Sequence, residues 1–243
     1  MNSQSKFTII SSFSGCGGSS LGYQLAGGKV LLAIEWDKIA VKIYQSNFPE
    51  TPIYHGDIKN LSIEECCQLA GVKPGQLDIL DGSPPCQGFS SAGKRELRDS
   101  RNELYLEFVR LLRGLQPKVF VMENVSGLVK GKMKLIFVAI LTDLKSCGYT
   151  VRARLLDAAY FNVPQYRKRL IFIGVRSDMG VEPTFPLPIC KPKTVKQAIG
   201  HLPIGEAGKH SERILLAWSK ARDRKSTRLN SSHHSVSRMP SSA

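Results

Sequence analysis

The sequence predicts an α/β fold, a doubly wound and mostly parallel sheet of the Rossmann-like kind, and three observations predict it. Apolar segments of strand length alternate with segments of helical period from Phe7 to Cys147, an alternation that calls for parallel strands joined by crossover helices. The first strand runs into a glycine-rich turn, Ser14-Gly15-Cys16-Gly17-Gly18-Ser19-Ser20, that opens a helix, as a nucleotide-binding βαβ unit begins. Five successive strands end in groups that a core does not need: the glycine turn, Glu35, Asp57, Cys86 and Glu123. In an open doubly wound sheet the ligand crevice lies at the carboxyl ends of the strands, so five such endings mark one site.

Taken in order, Phe7 to Phe13 is the first strand, and a short helix through Leu21 and Leu25 stops at Gly27-Gly28. Glycines let the backbone pass close to a ligand, and the helix N-terminus offers free N–H groups. The spacing is Gly-x-Gly-Gly, with Ser20 where a strict dinucleotide fingerprint has its third glycine, so the turn alone fits a ligand site and an ordinary turn equally. The second strand, Val30 to Ile34, adds the missing weight: it leads to Glu35, twenty positions after Gly15, where an acid accepts bonds from ribose hydroxyls. Trp36 beside it either lies against a flat purine or fills the core. A helix follows from Lys38 to Asn47, then a short third strand from Pro52 to Tyr54 leading to His55-Gly56-Asp57-Ile58. The next helix runs from Ser62 to Ala70, with Ser62 as cap, Glu65 three residues on, and Cys66 and Cys67 packing inward.

Leu77 to Leu80 is the fourth strand, and it delivers the loop Ser83-Pro84-Pro85-Cys86-Gln87-Gly88-Phe89-Ser90. Two prolines fix φ and remove two donors, so the loop cannot fold back into helix or sheet. A thiol on so rigid a mount suits a nucleophile that meets an electrophilic carbon in one geometry. Beyond it, Ser91 to Arg101 is polar, basic and without period, a loop beside the site. A helix from Asn102 to Leu115, a fifth strand from Lys118 to Met122 ending at Glu123-Asn124-Val125, and a helix from Lys132 to Cys147 complete the alternation. Tyr149 to Leu156 and Arg169 to Val175 read as two further strands, joined through Asp157 to Lys168.

The chain has 243 residues and 42% hydrophobic content, enough for a sizeable core, and its net charge is +14. Five basic residues and one acid follow Ala221, so residues 1–221 keep a charge of +10, which points toward a polyanion partner. No apolar run reaches the ~18 residues of a membrane span, and the cytoplasm is the expected location. The six cysteines, Cys16, Cys66, Cys67, Cys86, Cys147 and Cys190, form no Cys-x-x-Cys pair, so reduced thiols and no metal site are expected.

These residues resemble a family. Phe13-Ser14-Gly15-Cys16-Gly17-Gly18, Pro84-Pro85-Cys86-Gln87, Glu123-Asn124-Val125 and Gln165-Tyr166-Arg167-Lys168-Arg169 stand in the order found in DNA cytosine carbon-5 methyltransferases, and the likeness runs over residues 7–176. Gly88-Phe89-Ser90 and Ala92-Gly93-Lys94-Arg95 look more like the bacterial modification enzymes than the branch that methylates transfer RNA. The resemblance implies the methyltransferase form of the Rossmann-like sheet, with S-adenosyl-L-methionine as methyl donor and double-stranded DNA as partner. It implies Cys86 as the nucleophile that adds to carbon 6 of a cytosine flipped from the duplex. Glu123 would contact ring nitrogen 3, and Arg167 would hold the flipped base. Phe13, Gly15, Gly17, Gly18, Glu35, Trp36, Asp57, Ile58 and Pro84 would surround the donor, and Ser90, Asn124, Gln165 and Arg169 would serve the base and its loop.

The expected organisation is a donor-binding catalytic domain over residues 1–180, the start of a linker over 181–221, and a non-native, unstructured tail over 222–243. Residues 181–203 are proline-rich, with a helical turn or two from Thr194 to Ile199, and a Ser-rich end closes the chain. No segment resembling the family's target-recognition domain follows, so the expectation is a C-terminally truncated enzyme, inactive as it stands. A monomer without membrane contact is expected, with a cognate restriction endonuclease in the same system. Three other readings fit parts of the chain. One is a transfer-RNA cytosine methyltransferase, and another a protein that binds donor or nucleic acid without turnover. The third, a nicotinamide-dependent oxidoreductase, accounts for the glycine turn and Glu35 but leaves Cys86 and Glu123 unused.

Overall fold

The computed structural model describes residues 5–85 and 104–201. Seven strands build its sheet: β1 (Phe7–Ser12), β2 (Gly28–Glu35), β3 (Ile53–His55), β4 (Ile79–Gly82), β5 (Val119–Val125), β6 (Tyr149–Asp157) and β7 (Lys168–Arg176). They lie in the order β3-β2-β1-β4-β5-β7-β6. The first five pair in parallel, while β7 runs antiparallel between β5 and β6. The helices are α1 (Gly18–Leu25), α2 (Lys38–Asn47), α3 (Ile63–Ala70), α4 (Leu104–Leu115), α5 (Lys134–Ser146) and α6 (Val195–Ile199). None is long and apolar enough to cross a membrane. The α/β, mostly parallel sheet expected from the sequence is the one found.

Helix ends follow their side chains. Asp37 caps α2 by accepting from the N–H groups of Ile39 (2.9 Å) and Ala40 (2.8 Å). Ser62 caps α3 through Glu65 N at 3.0 Å, and α3 closes on Gly71 in the left-handed region. Several strand ends shift from the sequence reading, among them β4, which runs Ile79–Gly82 rather than from Leu77 to Leu80, and two of the shifts have a clear cause. β1 stops at Ser12, because Phe13 turns to φ 54°, a left-handed conformation that disfavours a residue with a Cβ by about 1 kcal/mol. β5 continues past Met122 to Val125, since the antiparallel β7 pairs with it residue by residue from Val119↔Val175 to Val125↔Arg169.

The main core lies where α3, α4 and α5 meet the sheet. Ile10, Leu32, Leu80, Phe108, Leu112, Phe120, Leu144 and Phe172 are fully buried in it, each worth about 1.5–3 kcal/mol of transfer free energy. Phe120 sits edge-on between Phe108 (5.9 Å between centroids) and Tyr149 (5.4 Å). A smaller cluster of Ala33, Tyr44 and Phe48 seats α2. At the amino-terminal end of the sheet Asp78 ties three elements: it accepts from Thr8 N (2.8 Å), Thr8 Oγ1 (2.9 Å) and Lys118 Nζ (2.7 Å). Burial pushes its carboxyl up, but the Lys118 ammonium and the Thr8 bonds outweigh that and hold it below the ordinary carboxylate range.

The chain divides into two compact units, Met1–Ala158 with Arg167–Pro188, and Ala159–Tyr166 with Ile189–Ala243. The whole sheet belongs to the first. In the second, α6 carries a full capping box, with Thr194 Oγ1 accepting from Gln197 N and Gln197 Oε1 accepting from Thr194 N. Cys190 Sγ accepts from Asn162 N at 3.2 Å.

Candidate active site

The strand order reverses between β1 and β4. Loops leaving the carboxyl ends of these two strands therefore part in opposite directions and open a crevice. They are the glycine turn and the Pro-Pro loop.

Ser14 N donates to Ile34 O at 3.1 Å, which pins the turn to β2 as it leaves Phe13. Gly17 has φ 91°, and a Cβ added there would collide with the Phe48 ring, so only glycine lets α1 start this close to α2. Glu35 fastens the turn from the other side. Its Oε2 accepts from Gly15 N at 2.8 Å, and its Oε1 accepts from the N–H groups of Trp36 and Asp37, each at 2.9 Å. An ionised carboxylate has about four acceptor positions, so this one, taking three bonds, keeps capacity for a ligand hydroxyl. Trp36 is 75% exposed, which rules out the core-filling alternative and leaves its ring face open. Asp57 Oδ1 accepts from Lys59 N at 3.0 Å and caps the short 3₁₀ turn Ile58–Asn60.

Phe13, Glu35, Trp36, Asp57 and Ile58 come together around a cavity of about 310 Å³, the lower end of the ~300–1,000 Å³ range of small-molecule sites. Of the other expected donor residues, Gly15, Gly17 and Gly18 shape the turn beside it, and Pro84 is buried while its neighbour Pro85 supplies the wall. Ile34, Gly56, Lys59 and Leu104 also line it and escaped the sequence reading. Lys59 and Pro85 stand next to residues that were read. Leu104 comes eighteen positions after Cys86 and carries no local signal.

On the other side of β4 lies β5. Glu123 faces Ile171 across the antiparallel pair, and Arg169 faces Val125, so Glu123 and Arg169 are diagonal neighbours on one face of the sheet. Arg169 Nε pairs with Glu123 Oε1, both side chains being about one-third exposed or less. Asn124 is buried, and its Oδ1 accepts from Val125 N at 2.8 Å. Arg167 is exposed, and its N–H donates to Asp157 Oδ1 at 3.0 Å, which fixes where it leaves the β6–β7 connection. Gln165 belongs to the second unit, where its N–H donates to Val163 O at 2.7 Å. Cys86 and Ser90 lie outside the described residues.

A buried polar cluster ties β4 to β1 and α1. Asp81 on β4 is 7% exposed and accepts from Ser11 Oγ (3.2 Å) and Tyr23 Oη (3.1 Å), while its own carbonyl accepts from Ser12 Oγ (2.9 Å). Burial pushes the Asp81 carboxyl up, opposed by bonds from Ser19, Tyr23 and Ser11. Burial, with Asp81 beside it, likewise raises the Tyr23 phenol. Asp81 has no role in the sequence reading, because the hydroxyls that satisfy it come from β1 and α1.

A cavity with apolar walls and carboxylates at its rim suits a nucleoside-sized ligand with a ribose and a cationic group. An acid held by an arginine, two strands away, suits contact with a polar ring. The family model for C-5 cytosine-specific DNA methylase matches residues 7–239. The chain is 42% identical over 208 residues to the Type II methyltransferase M1.HphI of Haemophilus parahaemolyticus, covering 84% of this chain and 55% of that protein. It is 37% identical over 221 residues to the Type II methyltransferase M.AquIA of Picosynechococcus, covering 80% of this chain and 88% of that protein. A solved prophage-encoded E. coli protein, described as a DNA modification methyltransferase, superposes with a TM-score of 0.70 at 33% identity, over 82% of this chain and 56% of its own. The chain thus spans about half the length of the Haemophilus relative and of that solved chain. A family model over most of the chain, relatives at 37–42% identity and a solved structure with the same fold give one answer: the chain belongs to the C-5 cytosine-specific DNA methylase family.

Proposed function

We propose that this chain carries the donor-binding and catalytic part of a DNA cytosine carbon-5 methyltransferase of a Type II restriction–modification system, working in the cytoplasm on double-stranded DNA. One observation carries the reading. The cavity at the ends of β1, β2 and β3 and the Glu123–Arg169 pair between β5 and β7 lie on either side of β4, the strand whose chain continues to Cys86 four residues after Gly82.

The cavity's residues fit S-adenosyl-L-methionine, which supplies an electrophilic methyl on a sulfonium. Trp36 offers a flat exposed face and Ile58 an apolar wall for a purine, and Glu35 accepts from the ribose hydroxyls while holding the glycine turn. Cytosine carbon 5 is too weak a nucleophile to react unaided. The Cys86 thiolate would add to carbon 6, forming a sulfur–carbon bond and pushing electron density to carbon 5, which would take the methyl as the donor's sulfur–methyl bond breaks and S-adenosylhomocysteine leaves. Loss of the carbon-5 proton and rupture of the sulfur–carbon bond return the thiolate. Glu123, oriented by Arg169, would contact ring nitrogen 3 through a shared proton, which neutralises the negative charge that the addition places on the ring. Arg167, which is exposed, would hold the flipped base and its backbone, and the base must leave the duplex because stacking hides carbon 6.

The test is methyl transfer from labelled S-adenosylmethionine by the protein expressed from its whole genomic reading frame, with duplex DNA and transfer RNA in competition. Label enters cytosine in the duplex. Label confined to transfer RNA would reassign the substrate, and label in neither would overturn the proposal.

A further inference from the structure

The turn that carries Asp57 and Ile58 into the cavity is three residues of 3₁₀ helix, a geometry with poor internal hydrogen bonds that holds weakly on its own. Leu61 N reaches the Ile58 carbonyl at only 3.3 Å. The stronger bond to that carbonyl comes from 52 residues away, where Arg110 Nη2 on α4 donates to it at 2.8 Å. The same guanidinium donates from Nε to Glu107 Oε2 at 2.7 Å, one helical turn back, so the fork is held at both prongs. α4 cannot drift from this region, because Ile63 packs against Gly114 where a Cβ would not fit. Leu104, in the first turn of α4, is itself a wall of the cavity.

We infer that Arg110 is a positioning residue of the donor cavity: by gripping the Ile58 carbonyl it sets the Asp57–Ile58 turn where a bound nucleoside needs it, without touching the ligand. The inference rests on the reading that the cavity takes S-adenosylmethionine. Without the grip the turn samples other conformations, and apparent affinity falls by the fraction of time it is correctly placed. A turn left correct about one-tenth of the time gives a tenfold weaker dissociation constant.

Arg176 supplies a matched control. Its Nη1 donates to the Gln116 carbonyl at 2.6 Å and its Nε to Asp178 Oδ1 at 2.8 Å, the same two-pronged arrangement at the opposite end of the sheet. The experiment is calorimetric titration of the 243-residue chain with S-adenosylhomocysteine, alongside thermal unfolding, for wild type, Arg110→Met, Arg110→Lys and Arg176→Met. Arg110→Met weakens binding about tenfold. Arg110→Lys recovers part of it, since one ammonium reaches the carbonyl without the second prong, and Arg176→Met stays within about twofold even where its Tm falls as far. Equal losses from Arg110→Met and Arg176→Met, or an unmoved Arg110→Met, would overturn the positioning role while wild-type binding upholds the cavity's. If Arg110→Met does not fold, Arg110→Lys decides: affinity unchanged from wild type overturns the role. Failure of the wild type to bind overturns the reading of the cavity and this role with it.

Discussion

Replacing Glu35 with glutamine separates the two tasks given to that carboxylate. In its better orientation the amide keeps its oxygen toward Trp36 N and Asp37 N, and turns its NH₂ toward Gly15 N, which now bonds Oε2 at 2.8 Å. A donor then faces a donor, and a charge-assisted bond worth about 1.5–3 kcal/mol is lost. The glycine turn lies at the surface and can move to reach water, so folding bears only part of this, about 1 kcal/mol, or about 2–4 °C in Tm for a chain of this size. Donor affinity bears the rest, together with the loss of a charged acceptor for the ribose. Two such losses of about 1.5 kcal/mol each give roughly a hundredfold weaker binding. Calorimetry with S-adenosylhomocysteine, paired with thermal unfolding, measures both numbers on one sample. Affinity within twofold of wild type would show that Glu35 organises the loop without facing the ligand.

Asp78→Asn tests the tie at the amino-terminal end of the sheet, far from the site. Lys118 is nearly half exposed, so its ion pair is screened, and the expected loss is about 1–2 kcal/mol, or about 3–6 °C in Tm, with donor affinity unchanged. The sign with pH follows from a folded-state pKa below the unfolded one: the wild-type advantage is complete above the unfolded carboxylate range near 4 and disappears as pH falls through the folded value. Denaturant unfolding of both proteins from pH 7 down to pH 3 follows this, and a gap that widens in acid would contradict it. The Arg110 and Arg176 pair, titrated as above, asks the complementary question of a residue that should move affinity more than stability.

The strand-end residues were legible in sequence because a parallel sheet gathers its carboxyl ends along one edge whatever its loops do. That is how Phe13, Glu35, Trp36, Asp57 and Ile58 reach one cavity from three strands. Local chemistry was legible too: Ser62 caps the helix expected of it, and the turn read from Thr194 to Ile199 forms, with Thr194 as its cap. What stayed hidden depends on partners distant in the chain. The left-handed Phe13 that ends β1 early is followed by Ser14, whose N–H donates to the Ile34 carbonyl of β2. The reversed direction of β7, which extends β5 past Glu123 and brings Arg169 to it, has no signature in the composition of either strand. Arg110 reads as one charge on an amphipathic helix until the Ile58 carbonyl is found against it. Trp36 could have filled a core or faced a ligand, and only its exposure decides.

The central claim, that Cys86 is the nucleophile of cytosine methylation, is tested most directly by covalent trapping. Duplex DNA with 5-fluorocytosine at the target position is incubated with S-adenosylmethionine and the protein from its whole reading frame. Fluorine at carbon 5 replaces the proton whose loss would free the enzyme, so the account predicts a stable protein–DNA adduct. Peptide mapping should place it on Cys86, and Cys86→Ala should abolish it. An adduct that persists in Cys86→Ala, or methylation of ordinary cytosine by that variant, would contradict the account.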